Sequence, residues 1–235
     1  MSIYGQIMKE LNLLADPQKA KVLAGFFKCG KGEYGEGDKF LGIVVPEQRK
    51  IVRKYYAQIS LAEIEKLVAS QFHEHRLVGL LMLVEKFAGA EEKDKKRIFS
   101  FYLKKAKQVN NWDLVDLTAP KIVGAYLLDK ERKILYQLVK SKNMWERRIA
   151  ILATFAFIRE GQFEDVFRIS EILLGDREDL IHKAVGWMLR EAGKRDQKAE
   201  EIFLQKHHSK MPRTMLRYAI ERFGEKRRQT YLKRK

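Results

Sequence analysis

Apolar residues in this chain return every three or four positions, and no stretch alternates convincingly with period two. Three-and-four spacing lines apolar side chains along one stripe of an α-helix, whereas a half-buried strand needs alternation. The spacing holds through IVRKYYAQI, LAEIEKLVASQF and HRLVGLLMLVEKFAG. It returns in KKRIFSFYLKKA, ERKILYQLVK, WERRIAILATFAFI, DVFRISEILL, IHKAVGWMLREAGK and RTMLRYAIERF. The sequence therefore predicts an all-α protein of about a dozen helices. Pro17, Pro46, Pro120 and Pro212 each stand where a helix could begin, the position that tolerates a missing N–H.

The helical runs come in pairs joined by short polar links. Trp112, Trp145 and Trp187 each fall near the start or middle of a run, at spacings of 33 and 42 residues. Such intervals match helical-hairpin repeats of the HEAT class, which stack into a solenoid with one concave face. No linker rich in proline, glycine or serine interrupts the 235 residues, so a single HEAT-like repeat domain over 1–235 is expected.

Charge narrows the partner. The chain carries 47 Lys and Arg against 31 Asp and Glu, a formal net charge of +16, which points first to nucleic acid and second to an acidic membrane surface. No run approaches the ~18 apolar residues of a membrane span. The start, MSIYGQIMKELNLLAD, reads as an amphipathic helix without a leader's apolar region or cleavage site. A lone cysteine, Cys29, excludes an internal disulfide and suits a reducing, cytoplasmic setting.

Several constellations carry no chemistry. Gly30, Gly32 and Gly35 match G-x-G-x-x-G formally, but the flanks look helical and no βαβ unit follows. The stretch reads as a loop, with Tyr34 and Lys39 within reach of a phosphate backbone. His73-Glu74-His75 lacks H-E-x-x-H spacing, and adjacent His207 and His208 diverge by about 100° on a helix, so no metal is expected. The terminal EKRRQTYLKRK carries six cations against one acid and suits nonspecific phosphate contact.

Two tryptophans are out of place for a core. In IHKAVGWMLREAGK, Ile181, Val185, Met188 and Ala192 form one stripe, and Lys183, Trp187, Arg190 and Lys194 form another on the opposite side. A basic face with a ring in it suits phosphates and a sugar or base. In NNWDLVDLTAP, Trp112 and Asp116 fall about 40° apart, with Leu114 and Leu117 facing away. Asp113, in the first turn, has a reason to be there in the helix dipole, and Asn110 or Asn111 can cap; Asp116 has neither reason. Trp145 shares its face with Ile149 and Leu152 and reads as core, with Arg148 at the edge of that stripe.

FLGIVVPEQR, NNWDLVDLTAPKIVG, WERRIAIL, IHKAVGWMLREAGK and MPRTMLRYAIERF occur here in that order. With them the chain resembles, over most of its length, the AlkD-like DNA alkylation repair glycosylases. The resemblance implies a right-handed superhelical solenoid of HEAT-like repeats with a concave basic face. It implies a monofunctional glycosylase, needing no cofactor, that removes cationic purines such as 3-methyladenine and 7-methylguanine from duplex DNA. By the same resemblance Asp116 matches the catalytic aspartate, and Trp112 and Trp187 match the aromatic pair flanking the lesion's deoxyribose. Arg148 and Arg190 match phosphate-contacting arginines; Lys183, Lys194 and Tyr34 join them as DNA-binding candidates. The expected partner is duplex DNA containing alkylated bases, bound by a monomer at the nucleoid. The rivals are a non-catalytic DNA-binding or damage-sensing module, which would not need Asp116, and a protein-interaction solenoid serving an acidic partner.

Overall fold

The computed structural model describes residues 2–233. Among these the fold is all-helical, with 14 α-helices and no strand. The chain falls into two compact units, one ending at Thr118 and the next beginning at Ala119.

The first unit contains α1 (Ile3–Leu13), α2 (Pro17–Phe26), α3 (Val45–Tyr55), α4 (Leu61–Val68), α5 (His73–Ala88), α6 (Glu92–Lys104) and all but the last residue of α7 (Trp112–Ala119). Local chemistry starts several of them. The Asp16 carboxylate accepts from the N–H groups of Gln18 and Lys19, and Pro17 opens α2. Ser60 and Glu63 cap α4 reciprocally. The centre of the unit is α5, which buries all but three of its 16 residues and packs against α3 and α4. Each buried aliphatic side chain there contributes about 1.5–3 kcal/mol. By contrast α2 buries none of its residues.

The long connection from α2 to α3 is ordered by polar contacts from α5. Glu74, 1% exposed, accepts at its carboxylate from the backbone N–H groups of Leu41, Gly42 and Ile43, at 2.9, 2.8 and 3.2 Å. The Lys39 carbonyl accepts from the His73 N–H at 2.8 Å. Gly42 is required where the chain returns past α2: its φ is +87°, and a Cβ would lie 2.1 Å from the Asp16 carbonyl oxygen.

The second unit contains α8 (Lys133–Leu138), α9 (Met144–Arg159), α10 (Glu164–Ile172), α11 (Asp179–Gly193), α12 (Gln197–His207), α13 (Arg213–Ala219) and α14 (Glu225–Lys233). Its core forms where α9 packs against α8, α10 and α11, and α11 against α12 and α13. Trp145, 7% exposed, belongs to that core. The helical path does not stop at Pro120; it widens into a π-helical turn over Pro120–Gly124, which α9 covers. The basic tail enters α14 up to Lys233, and Arg234 and Lys235 lie outside the described residues.

Candidate active site

Trp112 and Asp116 lie one turn apart on α7, and both are half-buried, while Leu114 and Val115 are fully covered. Leu114 faces away from them as the helical angles require, whereas Leu117, expected on the covered side with it, is half-buried too, and Val115, only about 60° from Trp112, is covered. The Asn111 side-chain oxygen accepts the Trp112 N–H at 2.8 Å, and the Asn111 carbonyl accepts the Val115 N–H at 3.2 Å to close the first turn of the helix. Tyr102, buried from α6, hydrogen bonds Thr118 at 2.9 Å. Burial and the negative charge of Asp116 both push its hydroxyl pKa up.

The ring of Trp112 rests on a column of aromatic side chains. Phe27 stacks on it at 5.2 Å and 23°, and Phe26 meets it edge-on at 5.9 Å and 70°. Phe27 in turn stacks on Phe40 at 5.2 Å, and His73 packs on both rings at 4.8 Å. Phe26 is 61% exposed, a large apolar surface immediately beside Trp112. Tyr34, half-buried, belongs to the loop between α2 and α3.

Under this column is a polar cluster that the sequence pattern did not announce. Asp113 stands in the first turn of α7 as expected, but it is only 6% exposed, and its Oδ2 lies 2.8 Å from His73 Nε2. His73 Nδ1 faces Asp38 Oδ2 at 3.5 Å, and Arg76 donates to Asp38 Oδ1 at 2.7 Å. The Asn110 and Asn111 amides also donate to Asp38, each at 3.3 Å. Burial alone would raise the Asp38 pKa, but hydrogen bonds from His73 and Asn111 and the Arg76 charge hold it low. His75, next but one, is the opposite case: burial pulls it to about 4, and it stays neutral against Ser70 Oγ at 2.8 Å.

In the second unit, Lys183, Trp187 and Arg190 form the half-buried flank of α11, with Lys194 exposed just past its end. Ile181, Val185, Met188 and Ala192 are buried, as the stripe requires. The cations on that flank are matched by acids. Lys183 pairs with Asp179 at 2.7 Å, Arg190 with Glu221, and Lys194 with Glu191 at 2.6 Å. The Trp187 indole N–H also donates to Glu191, at 3.2 Å, and its ring packs against Phe155 at 6.0 Å. Arg148 lies deeper than its place at a stripe edge implies: it is 4% exposed, and its guanidinium donates to the Leu180 carbonyl.

The family model for DNA alkylation repair enzymes matches residues 7–223 of the 235. The chain belongs to the DNA alkylation repair enzyme family. Among solved structures it is similar to one described as a predicted DNA alkylation repair enzyme from Enterococcus faecalis. That similarity has a TM-score of 0.71 and 17% sequence identity, and covers 90% of this chain and 97% of the other. At that identity the likeness speaks for the family's helical fold. No curated protein matches the sequence. Among the described residues no helix is long and apolar enough to cross a membrane, and none of the His, Cys, Asp and Glu side chains are grouped to hold a metal ion.

Proposed function

We propose that this member of the DNA alkylation repair family is a monofunctional glycosylase. It excises cationic N3- and N7-alkylated purines, such as 3-methyladenine and 7-methylguanine, from duplex DNA as the first step of base excision repair. The observation that carries the reading is the pairing of Trp112 with Asp116 on the accessible flank of α7. Membership of a family of DNA alkylation repair enzymes supports it.

The chemistry follows from the substrate. A purine alkylated at N3 or N7 already bears a positive charge, so it departs as a neutral base with no general acid. The sugar left behind is oxocarbenium-like and needs an anion and a water. Asp116 supplies the anion and orients or deprotonates the water. At about 4 Å and an effective dielectric near 20, that attraction is on the order of 4 kcal/mol, roughly a thousandfold in rate. Trp112 offers its face to the developing cation, which contributes about 0.5–2 kcal/mol and excludes bulk water. Trp187 takes the second aromatic role. Arg148, Arg190, Lys183, Lys194 and Tyr34 are assigned to the DNA backbone, on the concave basic face of a HEAT-like solenoid acting as a monomer.

The test is release of free 7-methylguanine and 3-methyladenine from methylated duplex by wild type and by Asp116→Asn. The reading expects release by wild type alone, with duplex binding nearly unchanged in the variant. Equal release by both would remove Asp116 from the mechanism. Tight duplex binding without release by either would make this a DNA-binding relative, and failure of plain duplex to bind would favour a protein partner.

A further inference from the structure

The polar cluster beneath Trp112 has the wrong composition for a core whose only task is packing. Four ionisable side chains, Asp38, His73, Arg76 and Asp113, meet where each is at most 8% exposed at the side chain. An ionised carboxylate is an acceptor only. Both ring nitrogens of His73 face carboxylate oxygens, Nε2 on Asp113 and Nδ1 on Asp38. Both nitrogens therefore need a proton, and the ring that satisfies this geometry is the imidazolium. Charge balance agrees. Arg76 and a charged His73 match Asp38 and Asp113 two against two, whereas a neutral imidazole would strand one negative charge in the interior.

His73 also reaches α7 by two routes at once. One is the 2.8 Å contact to Asp113, the residue after Trp112. The other is stacking: His73 packs on Phe27 at 4.8 Å, and Phe27 stacks on Trp112 at 5.2 Å. Asp38 extends the hold through Asn110 and Asn111, the two residues before Trp112. The residues bracketing Trp112 are thus tied to the start of α5 and to the loop before α3.

We infer that His73 is a positioning residue of the reaction: its imidazolium, shared between Asp38 and Asp113, fixes the first turn of α7 and so sets the Trp112 ring and, one turn on, the Asp116 carboxylate. This deepens the glycosylase reading and rests on it for the catalytic part only. The charged groups around His73 are Asp38 from the loop, Arg76 from its own helix and Asp113 from α7. Burial lowers its pKa and Arg76 lowers it further, but the hydrogen bonds to Asp113 and Asp38 prevail and raise it above 6.5. The hold is complete below that ordinary value and is lost as pH rises through the raised one. Deprotonation removes one of the two N–H donors, and the first turn of α7 loses one of its ties.

The experiment follows the imidazole nitrogens and the indole N–H resonances of the ¹⁵N-labelled full chain across pH, with the Trp112 resonance identified in Trp112→Phe. It is run beside single-turnover release of 7-methylguanine by wild type and His73→Gln. The inference expects His73 doubly protonated at pH 7 and the Trp112 indole shifting with the His73 midpoint. Wild-type excision falls above that midpoint. His73→Gln excises on the order of tenfold to a hundredfold more slowly and without that alkaline limb, while its duplex Kd stays within about twofold. A neutral His73 at pH 7, or a Trp112 resonance indifferent to the His73 transition, overturns the inference, and both are read in wild type whether or not the variant folds. If the resonances move together and no base is ever released, the positioning device stands and the glycosylase reading fails.

Discussion

The indole N–H of Trp187 and the ammonium of Lys194 converge on one atom, Oε1 of Glu191, at 3.2 and 2.6 Å. Glu191 is 8% exposed and also faces Arg195 at 3.7 Å. One buried carboxylate therefore fixes the ring and holds back two cations. Glu191→Ala removes the anchor and releases the charge. The expected outcome is a loss of about 1–3 kcal/mol in stability from the unmatched indole N–H, slower base release, and duplex affinity equal to or above wild type. Thermal melts, single-turnover release and fluorescence anisotropy read the three effects. Weaker duplex binding in a folded variant would show that Glu191 does not hold the cations back.

Arg190 is engaged before any DNA arrives. Its partner Glu221 is half-exposed, and the Arg190 Nε is buried with no acceptor. A phosphate contact at Arg190 must displace or outcompete that carboxylate. Glu221→Gln should therefore tighten duplex binding about two- to tenfold and steepen its salt dependence by roughly one phosphate contact. Anisotropy titrations at several salt concentrations measure both. Unchanged affinity and slope would take Arg190 out of the DNA interface.

Glu200 is 2% exposed, its Oε1 has no hydrogen-bond partner, and burial followed by the neighbouring Glu201 pushes its pKa to about 8. Below pH 4.5 the carboxyl is protonated in folded and unfolded chains alike. Between 4.5 and about 8 the unfolded chain releases the proton and the folded chain keeps it, so stability falls as pH rises through that window. Glu200→Gln removes the titration. It should raise stability at pH 8 by about 1–3 kcal/mol and flatten the Tm profile between those limits. A profile in the variant that parallels wild type would refute the assignment.

Gly186 lets α11 approach α13 closely: a Cβ there would lie 2.4 Å from the Met215 carbonyl oxygen and 2.5 Å from the Tyr218 Cβ. Gly186→Ala must push the helices apart, at a cost of about 1–3 kcal/mol. Trp187 is the next residue, so excision should fall by more than duplex binding does. A Tm equal to wild type would mean the contact relaxes without strain.

The helical class and the half-buried placement of Trp112 and Trp187 were legible because both depend on periodicity, which a chain carries locally. So was the core role of Trp145, which shares a stripe with Ile149 and Leu152. The matching of Lys183 and Lys194 was also within reach, since Asp179 and Glu191 are neighbours on the same helical stretch at spacings of four and three. Glu221 meets Arg190 from 31 residues away, and no spacing rule brings them together. The hidden cluster failed to show for the same reason. HEHR reads as a polar helix start, and the carboxylates that meet His73 come from Asp38, 35 residues before it, and Asp113, 40 residues after it. The available signal was the contrast between HEHR and the wholly apolar run behind it on α5. Asp113 was masked by an adequate explanation in the helix dipole.

Glu74 gathers three consecutive backbone N–H groups of residues 41–43, and Asp38 is gripped by Arg76 and the asparagines. Upstream of these anchors the loop tip is self-contained: Glu33 takes the Gly30 N–H and Glu36 takes the Gly32 N–H. Residues 30–33 are exposed and hang from fixed ends. That makes the tip an exchangeable cassette, into which a longer or differently charged segment can be spliced while the scaffold under Trp112 keeps its shape.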